Sequence, residues 1–392
     1  MTLHLNRRDF LSTFAVGGGA AFLAACTPAP TGSPAGAILG SPAPKAPGWD
    51  ELLAAARREG TVVIYGPTSE GLRTVVTEEF EKAIPGIKVD GVFAGGNEPV
   101  TRIMTERTAG RYIADCLITG TTPAVVTLKS ADAVAPLKPY LMLPEVLDEK
   151  AWLQNRLWWA DSAEPYTTLM FQGLLITPVY INKNLVRANE ITSYWDLLDP
   201  KWKGKIISND IRQGGPGGVP ARFIYKHADL GPNFLERLYS EQDITLSLDQ
   251  RQMVDWLAQG RYAIALFIAE TEAKVAMDQG LPVDAVPVEQ FKERGPIGPG
   301  NGSIAVIDKA PHPNAVKVLV NWLLSREGQD TWQRVTQYPS LRTDIPKTGL
   351  LDIYTPKPGF DYVDAGTEEY SRITGTIFTE LITAALEKAG RP

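Results

Sequence analysis

Small hydroxyl and amide side chains recur in this sequence directly after short apolar runs, in the company of glycine. Thr68 and Ser69 follow TVVIYGP, and Gly95, Gly96 and Asn97 follow GIKVDGVFA. Thr119, Gly120, Thr121 and Thr122 end IADCLITGTT, and Asn301, Gly302 and Ser303 open GSIAVID. Two further clusters add charge: Asp210 and Arg212 lead into QGGPGG, and Glu270 and Thr271 close YAIALFIAET. Hydroxyls and free backbone N–H groups at helix starts suit an oxyanion such as a carboxylate, phosphonate or phosphate. Arg212 could add a bidentate contact to the same anion. If Glu270 faces the same space, the ligand carries an amine or hydroxyl beside its anionic group. Each residue also has a plainer use: Ser69 as a helix N-cap, Arg212 as the ion-pair partner of Asp210, Glu270 as a favourable charge at a helix start, and the glycines as turns.

These clusters need elements to hold them. TVVIYG (61–66) has the β-branched content of a buried strand, and Leu72, Val75, Val76 and Phe80 then fall on one helical face. GIKVDGVFAGG (86–96) reads as the next strand, a polar helix runs from Glu98 to about Ala109, and IADCLITG (113–120) is a third strand. That alternation predicts an α/β fold with right-handed crossovers. Residues 136–165 read as an irregular connection with a short helix. GLLITPVYINKN (173–184) reads as one long strand, with GKIISND (204–210), YAIALFIAE (262–270), VDAVPV (283–288) and GSIAVID (302–308) supplying more. Helices are expected at 313–325 and 327–336, and one long helix at 367–389. In such sheets ligands meet the carboxyl ends of strands, where the polar clusters lie.

The N-terminus has a separate chemistry. NRRDFL sets Arg7 and Arg8 before a Gly/Ala-rich apolar run that ends in LAAC. The run is too short for a membrane span and has the charged start and small-residue end of an export signal. RRDFL resembles twin-arginine signals, and Leu23–Cys26 resembles the lipobox at which bacterial lipoproteins are cleaved and acylated. Residues 1–25 are thus expected to be a signal, Cys26 the lipid attachment point, and the Pro/Gly/Ser-rich stretch 26–47 a flexible tether. Losing Arg7, Arg8 and Asp9 takes one positive charge from the net −6 and leaves −7. Cys116, the other of two cysteines, then has no partner and reads as a small buried residue. An acidic chain implies no nucleic-acid surface, and two Cys with three His argue against a zinc cluster.

Four phrases in order, VYINKNLV (179–186), WDLLDPKWKGKI (195–206), YAIALF with GSIAVI, and WLLSREGQDTW (322–332), make the chain resemble the extracellular solute-binding proteins of ABC importers. The branch is the one that includes the ferric-iron-binding proteins. The resemblance implies a two-lobe periplasmic-binding-protein (Venus flytrap) fold with a mixed, mostly parallel sheet in each lobe. It implies lobe 1 at 48–172 plus about 300–325, and lobe 2 at 173–299 plus about 326–392. It also implies a monomer that takes a small-molecule solute in the interlobe cleft and delivers it to ABC permease subunits in the inner membrane. Trp195, Trp202 and Trp322 are expected in cores. The branch's ferric binders open the helix after the YAIALF-type strand with two adjacent tyrosines. Here Glu270 and Thr271 fall at that place, and the loop GPTSEG (66–71) has no His. The expected ligand is therefore a small organic or oxyanionic solute, with no cofactor and no metal, bound by Thr68, Ser69, Asn97, Thr121, Asp210, Arg212, Glu270, Thr271, Asn301 and Ser303. Ferric iron or an iron chelate is the alternative ligand. An exported hydrolase with a carboxylate pair is the second alternative, and no G-x-S-x-G or H-E-x-x-H motif supports an enzyme.

Overall fold

The computed structural model describes residues 46–213 and 215–391. The signal, Cys26 and nearly all of the tether lie outside the described residues. The described residues form one compact unit. Among the described residues, fourteen strands make three sheets: β1 Thr61–Pro67, β2 Lys88–Ala94, β3 Cys116–Thr119, β4 Trp158–Trp159, β5 Thr168–Met170, β6 Leu174–Leu175, β7 Val179–Asn182, β8 Ile206–Asn209, β9 Thr245–Ser247, β10 Ile264–Leu266, β11 Val283–Ala285, β12 Pro296–Gly298, β13 Ser303–Val306 and β14 Val363–Asp364.

The first lobe is built on a six-stranded sheet ordered β2-β1-β3-β13-β5-β4. Its first three strands are parallel, and the returning strand β13 runs antiparallel between β3 and β5. The second lobe has a five-stranded sheet ordered β11-β7-β10-β8-β9, in which β10, β8 and β9 are parallel and β7 is antiparallel to both neighbours. Helices cover both faces of each sheet, so each lobe carries core clusters on two sides. The stretch Glu70–Ala83 shows why: Leu72, Val75, Val76 and Phe80 are all buried against the first sheet. Ser69 starts it, its Oγ accepting from the Leu72 N–H at 3.3 Å. Buried side chains hold the irregular connection, Asn321 among them. Asn321 accepts from the N–H groups of Met142 and Leu143 and donates to the carbonyls of Tyr140 and Lys317.

Three expectations are corrected. The stretch 173–184 is two strands in different sheets, because Pro178 has no N–H to pair and the Thr177 hydroxyl donates instead to the Val286 carbonyl. The helix Arg326–Thr336, assigned from sequence to the second lobe, packs on the first. Its Trp332 meets Phe171 edge-on at 4.8 Å and joins the first-lobe core. The C-terminal helix is two helices, Glu368–Ser371 and Gly375–Lys388, separated where Thr374 becomes extended. The second of them buries Phe378 and Ile382 in the second lobe.

The third sheet, ordered β14-β12-β6, is made by the segments that pass between the lobes. Strand β6 lies between β5 of the first sheet and β7 of the second, and β12 lies between β11 of the second and β13 of the first. Strand β14 precedes the C-terminal helix of the second lobe. Ile297 is paired on one side with Leu175 and on the other with Asp364.

Asp364 gives this crossing sheet a pH dependence. Burial raises its carboxyl to about 6, against the lowering influence of Arg156 and the Gly366 N–H. A carboxyl raised in the folded state stabilises the fold below its unfolded pKa, and that contribution is lost as pH rises through about 6. Asp364→Asn abolishes the ionisation. The variant's stability relative to wild type is expected to climb between pH 4 and 8, to at most about 3 kcal/mol, in denaturant melts across that range.

Candidate ligand-binding cleft

Between the lobes lies a cavity of about 420 Å³, floored by the crossing sheet. Leu174 of β6, Gly298 of β12, and Ala365 and Gly366 after β14 form the floor. The first lobe contributes Gly120, Thr121 and Thr122 from the carboxyl end of β3, and Gln172 from just after β5. The second lobe contributes Gly215, Pro216, Val219 and Arg222 from the start of the helix Gly218–Lys226, and Glu270 from the start of the helix Glu270–Asp278. The volume is within the range of small-molecule sites.

Arg222 is the unusual group here. Its helix buries Ala221, Phe223 and Ile224 in the second-lobe core, which turns Val219 and Arg222 towards the cleft. The Nε is out of reach of solvent and has no hydrogen-bond partner. Burial lowers the pKa of the guanidinium, and no neighbouring carboxylate offsets this. A desolvated cation without a counter-charge is costly unless an anion arrives to neutralise it.

Gln172 lies opposite, on the first lobe, and is buried. Trp332 Nε1 donates to its Oε1 at 3.0 Å, which leaves its NH₂ for the cavity. Gly300 and Gly302 fold over this side chain: a Cβ on Gly300, whose φ is +52°, would sit 2.6 Å from Gln172 Nε2, and one on Gly302 2.2 Å from Gln172 Cβ. Those glycines answer to close packing. Beside the cavity Lys129 Nζ lies 2.8 Å from Asp161 and 2.9 Å from Glu368, and Thr122 and Ser371 share a hydroxyl contact at 3.0 Å.

Of the residues singled out in the sequence, Thr121, Glu270 and Asn301 line this cavity, and Thr271 lines a neighbouring chamber. The rest are elsewhere. Asp210 and Arg212 hold each other bidentately at 2.9 Å on both arms, and neither lines this cavity. Ser69 is the N-cap described above, and Thr68 is exposed beside it. Ser303 is buried with its hydroxyl donating to the Thr119 carbonyl at 2.6 Å. Asn97 lines a separate groove along the helix Glu98–Thr108. Sequence reasoning missed Arg222, Gln172 and Tyr338. Arg222 did leave a signal, a lone charge inside the apolar run GVPARFIY one helical turn after QGGPGG.

The profile of the family described as bacterial extracellular solute-binding protein matches residues 65–330. The chain belongs to this family. Among curated proteins none is a significant match. Solved structures share the fold of this solute-binding protein at low identity. Bordetella ferric binding protein is 19% identical with a TM-score of 0.63, over 83% of this chain and 98% of its own. Iron-bound HitA from Pseudomonas aeruginosa is 17% identical with a TM-score of 0.54, over 84% and 98%. AfuA from Actinobacillus pleuropneumoniae, with exogenous fructose-6-phosphate bound, is 16% identical with a TM-score of 0.58, over 85% and 99%. The two-lobe α/β architecture expected from the sequence is therefore shown, and the cleft between the lobes is the place to look for a solute.

The two arginines behave oppositely in ligand-free protein. Arg222→Met removes an uncompensated cation and is expected to raise stability by about 1–3 kcal/mol. Arg212→Ala leaves Asp210 without its partner and is expected to lower it by about 1–2 kcal/mol. Chemical denaturation of the two variants beside wild type checks both signs.

Proposed function

We propose that this solute-binding protein captures a small organic oxyanion in the interlobe cleft and delivers it to an ABC permease. The observation that carries the ligand class is Arg222, a partly buried guanidinium in the cavity wall whose Nε has no hydrogen-bond partner and which no carboxylate neutralises. The NH₂ of Gln172 and the Thr121 hydroxyl at the end of β3 are the neutral donors that support it. Together they supply a charge-assisted anchor and fixed hydrogen-bond donors, which is how oxyanions are held. The chain is read as a binder and not as an enzyme: an anion anchor needs no group that forms or breaks a bond.

Ferric iron is the weaker reading. A guanidinium in the cleft repels a trivalent cation, and Glu270 and Thr271 stand where the branch's ferric binders carry paired tyrosines. Bound iron would have to arrive with an anionic chelator that meets Arg222 itself.

Thermal shift and calorimetry against phosphate, sulfate, citrate and short carboxylates and phosphonates test the reading. At least one oxyanion is expected to bind wild type and to lose about 10- to 100-fold in affinity in Arg222→Ala. Binding that is unchanged in Arg222→Ala, or confined to a free ferric ion, would overturn it.

The reading includes export and anchoring. Arg7 and Arg8 start a twin-arginine signal, and Cys26 carries the lipid that holds a monomeric body on the outer face of the membrane. Expressed from the full chain in a bacterial host, Cys26→Ser is expected to move the protein from the membrane pellet to the soluble fraction, while wild type stays in the pellet.

A further inference from the structure

Charged side chains close to the cleft are almost all paired. Arg212 holds Asp210, Lys129 holds Asp161 and Glu368, and Lys274 holds Asp278. Glu270 is different. Its carboxylate takes a hydrogen bond from its own N–H, and no cation among the described residues lies close enough to shift it. Burial raises its pKa, as burial lowers that of Arg222. The two groups line the same cavity with opposite charge, yet neither influences the other. A helix-start interaction accounts for an acidic residue at this position, but it does not require the carboxylate to be withdrawn from water.

Glu270 also opens to a second side. A chamber of about 360 Å³ adjoins the cavity, and Leu174, Glu270 and Tyr338 belong to the walls of both. The Tyr338 phenol is close enough to Glu270 for the carboxylate to help raise its pKa, after burial. A carboxylate next to an aromatic ring, where two cavities meet, is a setting that recognises an ammonium group. Beyond it the chamber is lined by Leu350, Leu351 and Tyr354, and by Lys274, whose charge Asp278 takes up.

We infer that the cleft selects a zwitterion: a small organic oxyanion bearing a protonated amine on a short chain, the oxyanion end at Arg222 and the amine at Glu270 beside Tyr338. This rests on the reading of Arg222 as the anion anchor. A bound zwitterion neutralises both orphan charges at once and adds no net charge to the buried site. A plain oxyanion leaves Glu270 unpaired and brings a second negative charge into its cavity. A neutral sugar compensates neither group.

The test compares acids matched in length that differ in the amine. Calorimetry would measure 4-aminobutyrate against butyrate, and 3-aminopropylphosphonate against propylphosphonate, on wild type, Glu270→Gln and Arg222→Ala. In wild type the amine-bearing member of at least one pair is expected to bind about tenfold tighter or better. Glu270→Gln is expected to remove that preference and leave affinity for the plain acid equal or higher. Arg222→Ala is expected to weaken both members. Equal or tighter binding of the plain acids to wild type overturns the zwitterion inference and leaves the anion reading standing. A preference that survives in Glu270→Gln, or failure of both amine-bearing probes to bind at millimolar concentration, also overturns it. Binding unchanged by Arg222→Ala overturns the anion reading instead. The matched pairs on wild type need no variant to fold. Ligand-free Glu270→Gln is expected to melt no lower than wild type, whereas a carboxylate with a purely structural role would melt lower when neutralised.

Discussion

The three short strands β6, β12 and β14 form the joint on which the rest of the molecule depends. Each belongs to a segment running between lobe-forming elements, and their mutual hydrogen bonds fix where those segments stand. Leu174, Gly298 and Ala365 are consequently both joint and cleft floor. Strands of two or three residues hold register through very few bonds, so a movement of one lobe against the other has little regular structure to break. The lobes themselves are covered on both sheet faces and behave as packed bodies.

The distribution of charge follows from that arrangement. Where a lobe needs an ion inside it, the fold supplies a partner within reach, as with Asp115, which accepts from the Val63 N–H at 2.6 Å and from His312. In the cleft the partner is withheld, because the two walls come from different lobes and leave space between them. Arg222 and Glu270 thus sit on the same lobe, facing a gap. Their desolvation is tolerated because each is fixed by a helix whose other side is core: Ala221 and Phe223 hold the first, Ala273 and Ala276 the second.

Much of the fold was legible because it follows from local pattern. The period of Leu72, Val75, Val76 and Phe80, the β-branched run 61–66 and the phrases around Trp195 and Trp322 placed the lobes and the family. Trp202 and Trp322 are buried as expected, and Trp195 is partly so. What could not be read was long-range. Nothing local distinguishes the helix Arg326–Thr336 as a first-lobe element; Trp332 decides it by meeting Phe171. The site divided in the same way. Strand-end reasoning reached Thr121, Glu270 and Asn301, which stand at loop positions that the sheet order brings together. It did not anticipate that Arg212 pairs with a partner two residues away, or that Arg222, a full turn inside a helix, lines the cavity.

Gln172 links the cavity to something behind it. Its carbonyl oxygen is taken by the indole of Trp332, and the side chain lines the cavity. An acceptor that binds the NH₂ polarises the amide and strengthens the bond at its other end, since hydrogen bonds in series reinforce one another. Trp332 is buried and stacked edge-on against Phe171. Its emission is shielded from solvent yet wired through one amide to the cleft. One amide is thus all that separates this buried indole from the wall of the cleft.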